Sequence, residues 1–86
     1  MRSQLKIIVD ILDVIEQSEN GVKITDLVRK ANVPYVRLTE LLDYLLKKHL
    51  IENSAGSYKI TERGASFLAE YRKFSHFAQN LGLDID

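Results

Sequence analysis

The chain has 86 residues, 45% of them hydrophobic and 28% charged, and its twelve Lys+Arg balance twelve Asp+Glu to a formal net charge of zero. That composition is ordinary for a soluble globular protein and leaves room for one domain. With no Cys and two His, it excludes disulfides, thiolate zinc sites and Cys nucleophiles, and no metal or cofactor is expected. No apolar run approaches the ~20 residues of a membrane span. Asp10 and Asp13 interrupt the N-terminal apolar stretch, which argues against a signal peptide. A cytoplasmic location is the default expectation. A core this small often leans on a second subunit, so dimerisation is the support to look for.

In chain order, residues 3–20 read as a helix. Leu5, Ile8, Leu12 and Ile15 recur at helical spacing, as do Ile7, Ile11 and Val14, while Lys6, Asp10, Asp13 and Gln17 form a narrow wet stripe. Ser3 is the expected N-cap and Gly21 the expected C′ residue. The apolar face is wide enough either to meet another subunit or to be gripped on two sides within its own domain. Val22-Lys23-Ile24 reads as a short extended piece. Thr25 is placed as the N-cap of a brief helix to Ala31, and Pro34 in the first turn of a third helix to Lys48. In that helix Leu38, Leu41, Leu42 and Leu45 form one buried face.

Residues 50–53 and 58–61 read as two strands joined by Ser54-Ala55-Gly56-Ser57. Thr61 caps a last helix from Glu62 to about Leu81. Its stripe of Gly64, Phe67, Tyr71, Phe74, Ala78 and Leu81 alternates three- and four-residue spacings, as a coiled-coil seam does. At ~1.5 Å per residue the helix is roughly 30 Å long. It exceeds what so small a domain covers, which favours a dimer contact over a fraying end. The fold expected is α+β, mainly α. Residues 1–61 form a core with a tight helix pair and a hairpin, which is the winged helix-turn-helix arrangement. Residues 62–86 form a C-terminal dimerisation helix packed on the same domain.

Lys23-Ile24-Thr25-Asp26-Leu27, Ala31 to Tyr35, the Leu38-Leu42-Leu45 face and Leu50-Ile51 together resemble the small archaeal winged helix-turn-helix DNA-binding regulators. So does Tyr58-Lys59-Ile60-Thr61-Glu62-Arg63-Gly64, continuing through Phe67-Leu68 to Tyr71. The resemblance is to the Sulfolobus ten-a-like family, and it runs from about Ile8 to Leu81. It implies double-stranded DNA binding, sequence-tolerant or operator-specific, by a homodimer paired through the C-terminal helix, with a role in transcription regulation. Members of that family pair through an antiparallel coiled coil, and the residues here leave parallel and antiparallel pairing both open. The chain departs from that pattern in three places. His49 stands where a Gly is usual, at a position that often needs a left-handed backbone. The last helix is shorter, and the wing is short with no cation at its tip.

In a helix-turn-helix the N-terminal part of the second helix meets base edges. Tyr35, Val36, Arg37, Thr39 and Glu40 are therefore the expected base readers. Arg37 suits guanine, Val36 a thymine methyl and Glu40 a cytosine amino group. Lys23, Thr25, Arg29, Lys30, Lys47 and Lys59 are the expected phosphate partners. Phe67, Tyr71, Phe74, Ala78 and Leu81 are the expected dimer contacts. Residues 21–53 carry net +2, against −2 for residues 1–20, which gathers positive charge on the helix pair. Glu40 and Asp43 oppose it on the same face, and Arg37 has a solvated or ion-paired alternative with Glu40 or Asp26.

The main rival is a winged-helix protein–protein interaction module without nucleic acid binding. An enzyme is not expected, because Ser54, Ser57 and Ser66 lack a base partner and no Gly-rich phosphate loop occurs. Tyr44, Phe67, Tyr71, Phe74 and Phe77 have a pocket reading at the dimer seam, set against plain core, which is the commoner use of aromatics at helical spacing.

Overall fold

A computed structural model of the chain describes residues 1–85. Its elements follow in the order α1 (Gln4–Glu16), α2 (Ile24–Lys30), α3 (Tyr35–Lys47), β1 (Ile51–Ser54), β2 (Ser57–Ile60) and α4 (Glu62–Asn80). The mainly helical α+β order expected from the sequence is present, with a helix pair, a hairpin and a long last helix.

The Ser3 hydroxyl oxygen accepts from the Lys6 amide at 3.1 Å and caps α1. The helix ends at Glu16, short of the expected Asn20. Ser18-Glu19-Asn20-Gly21 are turn formers. The Ser18 hydroxyl donates to the Gly21 carbonyl, and Gly21 takes φ 86°. Ile8, Val9, Ile11, Leu12 and Ile15 are buried, and α1 packs against α2, β2 and α4. The wide apolar face is thus gripped within the domain. Leu27, Leu38, Leu42, Leu45 and Leu68 complete the centre of the core. Each such buried side chain contributes about 1.5–3 kcal/mol by leaving water.

Helices α2, α3 and α4 end in the same way. In each, the amide two residues past the cap bonds back to the carbonyl three residues inside the cap: Val33 to Val28, Leu50 to Leu45, and Leu83 to Ala78. This ending places one residue in the left-handed region. Those residues are Asn32 (φ 55°), His49 (φ 60°) and Gly82 (φ 76°). The left-handed backbone expected at His49 is therefore real, and it is occupied by a side chain that favours it less than Gly.

Two caps differ from expectation. Helix α2 begins at Ile24, with Lys23 as its N-cap and no side-chain cap bond. Thr25 lies inside the helix and does not cap it. Pro34 is the N-cap of α3, with ψ 146°, and stands just outside the helix. The extended piece is shorter too. Val22 alone pairs, exchanging backbone bonds of 2.9 and 2.8 Å with Tyr58. The hairpin turn is tighter than four residues, because Ser54 pairs with Ser57. Only Ala55 (φ 52°) and Gly56 (φ 85°) remain in the loop, the two positive φ values that match strand twist.

The base of this wing is closely bonded. Thr61 accepts from the Gly64 amide at 3.0 Å and donates to the His49 carbonyl at 2.7 Å. Its amide donates to the Leu50 carbonyl. A Cβ on Gly64 would lie 2.1 Å from that same carbonyl oxygen. Gly64 therefore serves the close approach of α4 to the strand, and it is no part of an outer seam.

The rest of the α4 stripe divides. Leu68, which the stripe omitted, is fully buried, and Ala78 is 2% exposed within the single chain. Phe67 and Tyr71 are half-buried against the core. Phe74, Phe77, Leu81 and Leu83 stay about 60% exposed.

Candidate nucleic-acid interface

The outer face of α3 follows from its inner one. With Leu38, Leu41, Leu42 and Leu45 buried, the helical period turns Val36, Glu40, Asp43 and Lys47 outward. Tyr35 and Val36 are 57% and 70% exposed in the first turn. Two large apolar side chains held in water at a helix start are the kind of feature that marks a contact surface. Arg37 is exposed beside them and makes no ion pair with any described residue, so neither Glu40 nor Asp26 holds it. Thr39 is half-buried, and its hydroxyl donates to the Val36 carbonyl at 2.7 Å. That leaves Thr39 only its acceptor capacity.

Of the acids on this face, Asp43 is matched by Lys47 at 3.1 Å across one helical turn. Glu40 is exposed and unpaired among the described residues. The phosphate candidates are spread over three elements. Lys23 and Thr25 are exposed at the start of α2. Arg29 and Lys30 are exposed at its end, with Arg29 bonded to Asp26 at 3.1 Å. Lys59 is half-buried in β2 opposite Glu52. The tip of the wing, Ala55-Gly56, carries no charge.

Sequence reasoning missed Arg2. Its guanidinium bonds to Asp10 at 2.9 Å and to the Ala31 carbonyl at 2.8 Å, and it also reaches the Asn32 carbonyl. It fixes the turn between α2 and α3 to α1, and so sets the pose of the helix pair. A cation 29 residues away in sequence gives no local signal of this. Asp10 is partly buried, which by itself raises its carboxyl. Hydrogen bonds from Lys6 and Arg2, with their charges, outweigh that and hold it below the usual carboxylate range. Arg72, likewise missed, joins α4 to Glu16 and Asp13 of α1. Those bonds hold its guanidinium above its ordinary value.

A family model for the winged helix-turn-helix matches residues 1–79. The chain belongs to the winged helix-turn-helix family. Among solved structures, this winged helix is similar to Sso10a-2, a DNA-binding protein from Sulfolobus solfataricus. The identity is 27% and the TM-score 0.71, over 93% of this chain and 85% of that one. It is also similar in fold to the activation domain of the phage T4 transcription factor MotA, at 16% identity and TM-score 0.68, over 93% and 95% of the two chains. No curated protein gives a significant match. Among the described residues of this winged helix no acidic, His or Cys cluster could hold a metal. Nor is any helix among them long and apolar enough to cross a membrane.

Proposed function

We propose that this protein binds double-stranded DNA as a homodimer and regulates transcription, with α3 as the element that enters the major groove. The observation that carries the reading is the exposed start of α3. Tyr35, Val36 and the unpaired Arg37 project from a helix whose opposite face is locked into the core. The likeness to a Sulfolobus DNA-binding protein at 27% identity supports it. Tyr35, Val36, Arg37, Thr39 and Glu40 read bases in this account. Lys23, Thr25, Arg29, Lys30, Lys47 and Lys59 serve phosphates, with Lys23 and Lys30 favoured because both are exposed and neither is tied to an acid among the described residues, whereas Lys59, also untied, is half-buried.

The dimer rests on the far end of α4. Phe74, Phe77 and Leu81 share a face by their three- and four-residue spacing and remain exposed. Phe67 and Tyr71 border that face, while Ala78 lies beneath it, already covered. The units divide as residues 1–61, the DNA-binding core, and 62–86, the segment that pairs through α4, of which Asp86 lies outside the described residues. A monomer with zero net charge makes few phosphate contacts, and pairing doubles them. The protein is non-enzymatic in this account.

Two measurements test the reading. Phe74→Glu with Phe77→Glu converts a dimer to a monomer in light scattering without loss of helical circular dichroism; an unchanged mass places the contact elsewhere. Arg37→Ala weakens binding to a fluorescent duplex while leaving the fold intact. A wild-type chain that ignores DNA even at low salt favours the interaction-module reading, for which the unpaired Glu40 on the outer face is the supporting feature.

A further inference from the structure

The molecule holds a cleft of about 480 Å³ that DNA binding does not use. One wall is the C-terminal end of α3, where Tyr44 and Lys48 stand one turn apart. The other is a single stripe of α4, Arg63, Ser66, Phe67 and Glu70, spaced three, one and three. Leu50 closes the floor between them. Only Tyr44 and Phe67 of the five aromatics with a pocket reading take part. The volume is within the range of small-molecule sites.

Its chemistry is specific. The Lys48 ammonium is 5.6 Å from the centre of the Tyr44 ring. Neither Lys48 nor Arg63 makes an ion pair with any described residue, although Arg29, Lys47, Arg72 and Lys73 all do. Two unmatched cations thus face a cleft that also offers two aromatic rings. An anion satisfies the first pair, and a flat unsaturated ring the second. Glu70, on the same stripe and paired with Lys73 at 3.5 Å, disfavours a second acid group and keeps acceptor capacity for a hydroxyl or amino substituent.

We propose that this cleft binds a small aromatic monocarboxylate, with its ring against Tyr44 and Phe67 and its carboxylate held by Lys48 and Arg63. Hydroxy- or amino-substituted rings bind better than bare ones, through Ser66 and Glu70. The cleft is open to solvent, so the affinity is modest, with Kd on the order of 0.1–1 mM for a ligand of about ten heavy atoms. The cleft lies apart from the α3 face that the DNA reading uses and shares Phe67 with the border of the proposed dimer face; the titration follows the ligand alone.

The test is a nitrogen-15 NMR titration of the full chain with benzoate and 4-hydroxybenzoate. Cyclohexanecarboxylate and benzyl alcohol serve as the saturated and uncharged controls. The proposal expects saturable shifts at Tyr44, Lys48, Leu50 and residues 63–70 with the aromatic acids, and weak or absent shifts with both controls. Lys48→Ala and Arg63→Ala each weaken binding about tenfold, the share of one charge-assisted contact. Both positions are exposed, so both variants keep the wild-type circular dichroism. Tyr44→Leu retains both cations and removes the preference for benzoate over cyclohexanecarboxylate. The proposal is overturned by absence of saturable shifts, by equal response to the controls, or by Lys48→Ala and Arg63→Ala titrating as the wild type does. It is overturned also if Arg63→Ala weakens duplex binding while benzoate produces no shift, which assigns these cations to DNA.

Discussion

The base of the wing and the outer face of α3 are built on opposite terms. At the wing base one carbonyl, that of Leu50, accepts from Thr61 and leaves no room for a Cβ on Gly64. Thr61 is bonded through both its hydroxyl and its amide. On the outer face of α3, Tyr35 and Val36 stand in water and Arg37 has no partner among the described residues. The first region has its interactions completed inside the chain. The second leaves them open, at a small loss in stability, for something outside. Mutations in the two regions should therefore separate stability from binding.

The largest effect is expected at Gly64→Ala. The new Cβ falls on backbone, which cannot move aside as a side chain can, so the loss is about 1–3 kcal/mol or more. For a domain of this size that lowers Tm by roughly 4–8 °C per kcal/mol. Thermal unfolding by circular dichroism reads it, and a melting point within a degree of wild type breaks the comparison at its firmer end. Thr61→Ala follows, at about 1 kcal/mol, since it removes the cap of α4 and the bond to the His49 carbonyl together. Arg37→Ala is the converse case. It leaves Tm unchanged within about 0.5 kcal/mol and, in a duplex titration, reduces affinity by about 1–3 kcal/mol if Arg37 reads a base.

A smaller effect of opposite sign is expected at His49→Gly. Left-handed backbone costs a non-glycine residue about 1–2 kcal/mol, and Gly returns part of that to the unfolded chain as entropy. The net is a stabilisation of about 0.5–1 kcal/mol in a denaturant titration, with DNA affinity unchanged. The last prediction concerns pH. The Asp10 carboxyl is lowered in the folded chain, so its contribution is present above the ordinary carboxylate pKa of about 3.9. It is lost as pH falls through the lower folded value. Asp10→Asn is accordingly less stable than wild type at neutral pH, and the gap between their melting points closes in strong acid. A gap that persists there would mean that Asp10 acts through packing and not charge.

How much of this was legible in the sequence depends on where each side chain finds its partner. The buried face of α3, the caps Ser3 and Thr61, and the left-handed backbone at His49 all follow from local spacing and local chemistry. The division of α4 does not. A three-four repeat marks an apolar stripe, but Gly64 and Ala78 are covered within the chain while Phe74 and Leu81 are not. Periodicity carries no record of which neighbour does the covering. Leu68 lies off the stripe and is fully buried, because α4 faces α1 and the hairpin along a line that the repeat does not follow. Thr25 illustrates a different limit. A hydroxyl residue ahead of an apolar run reads as a cap, yet the cap is Lys23, two residues earlier, and α2 starts at Ile24. Arg2 and Arg72 act on residues far off in sequence, so nothing local announces them. At the candidate interface, the sequence placed the outer face of α3 but left Arg37 between a free and a paired state. The structure leaves it unpaired, and Lys47 paired with Asp43.

The central claim is that the open face of α3 is completed by DNA. Fluorescence anisotropy with a random-sequence duplex, over a salt series from low to near-physiological ionic strength, tests it most directly. The account predicts an affinity that falls linearly on a log–log plot. A dimer making 6–10 phosphate contacts loses roughly 10³–10⁵ in affinity between about 50 and 200 mM salt. No binding at the lowest salt, or binding that salt does not weaken, would contradict it.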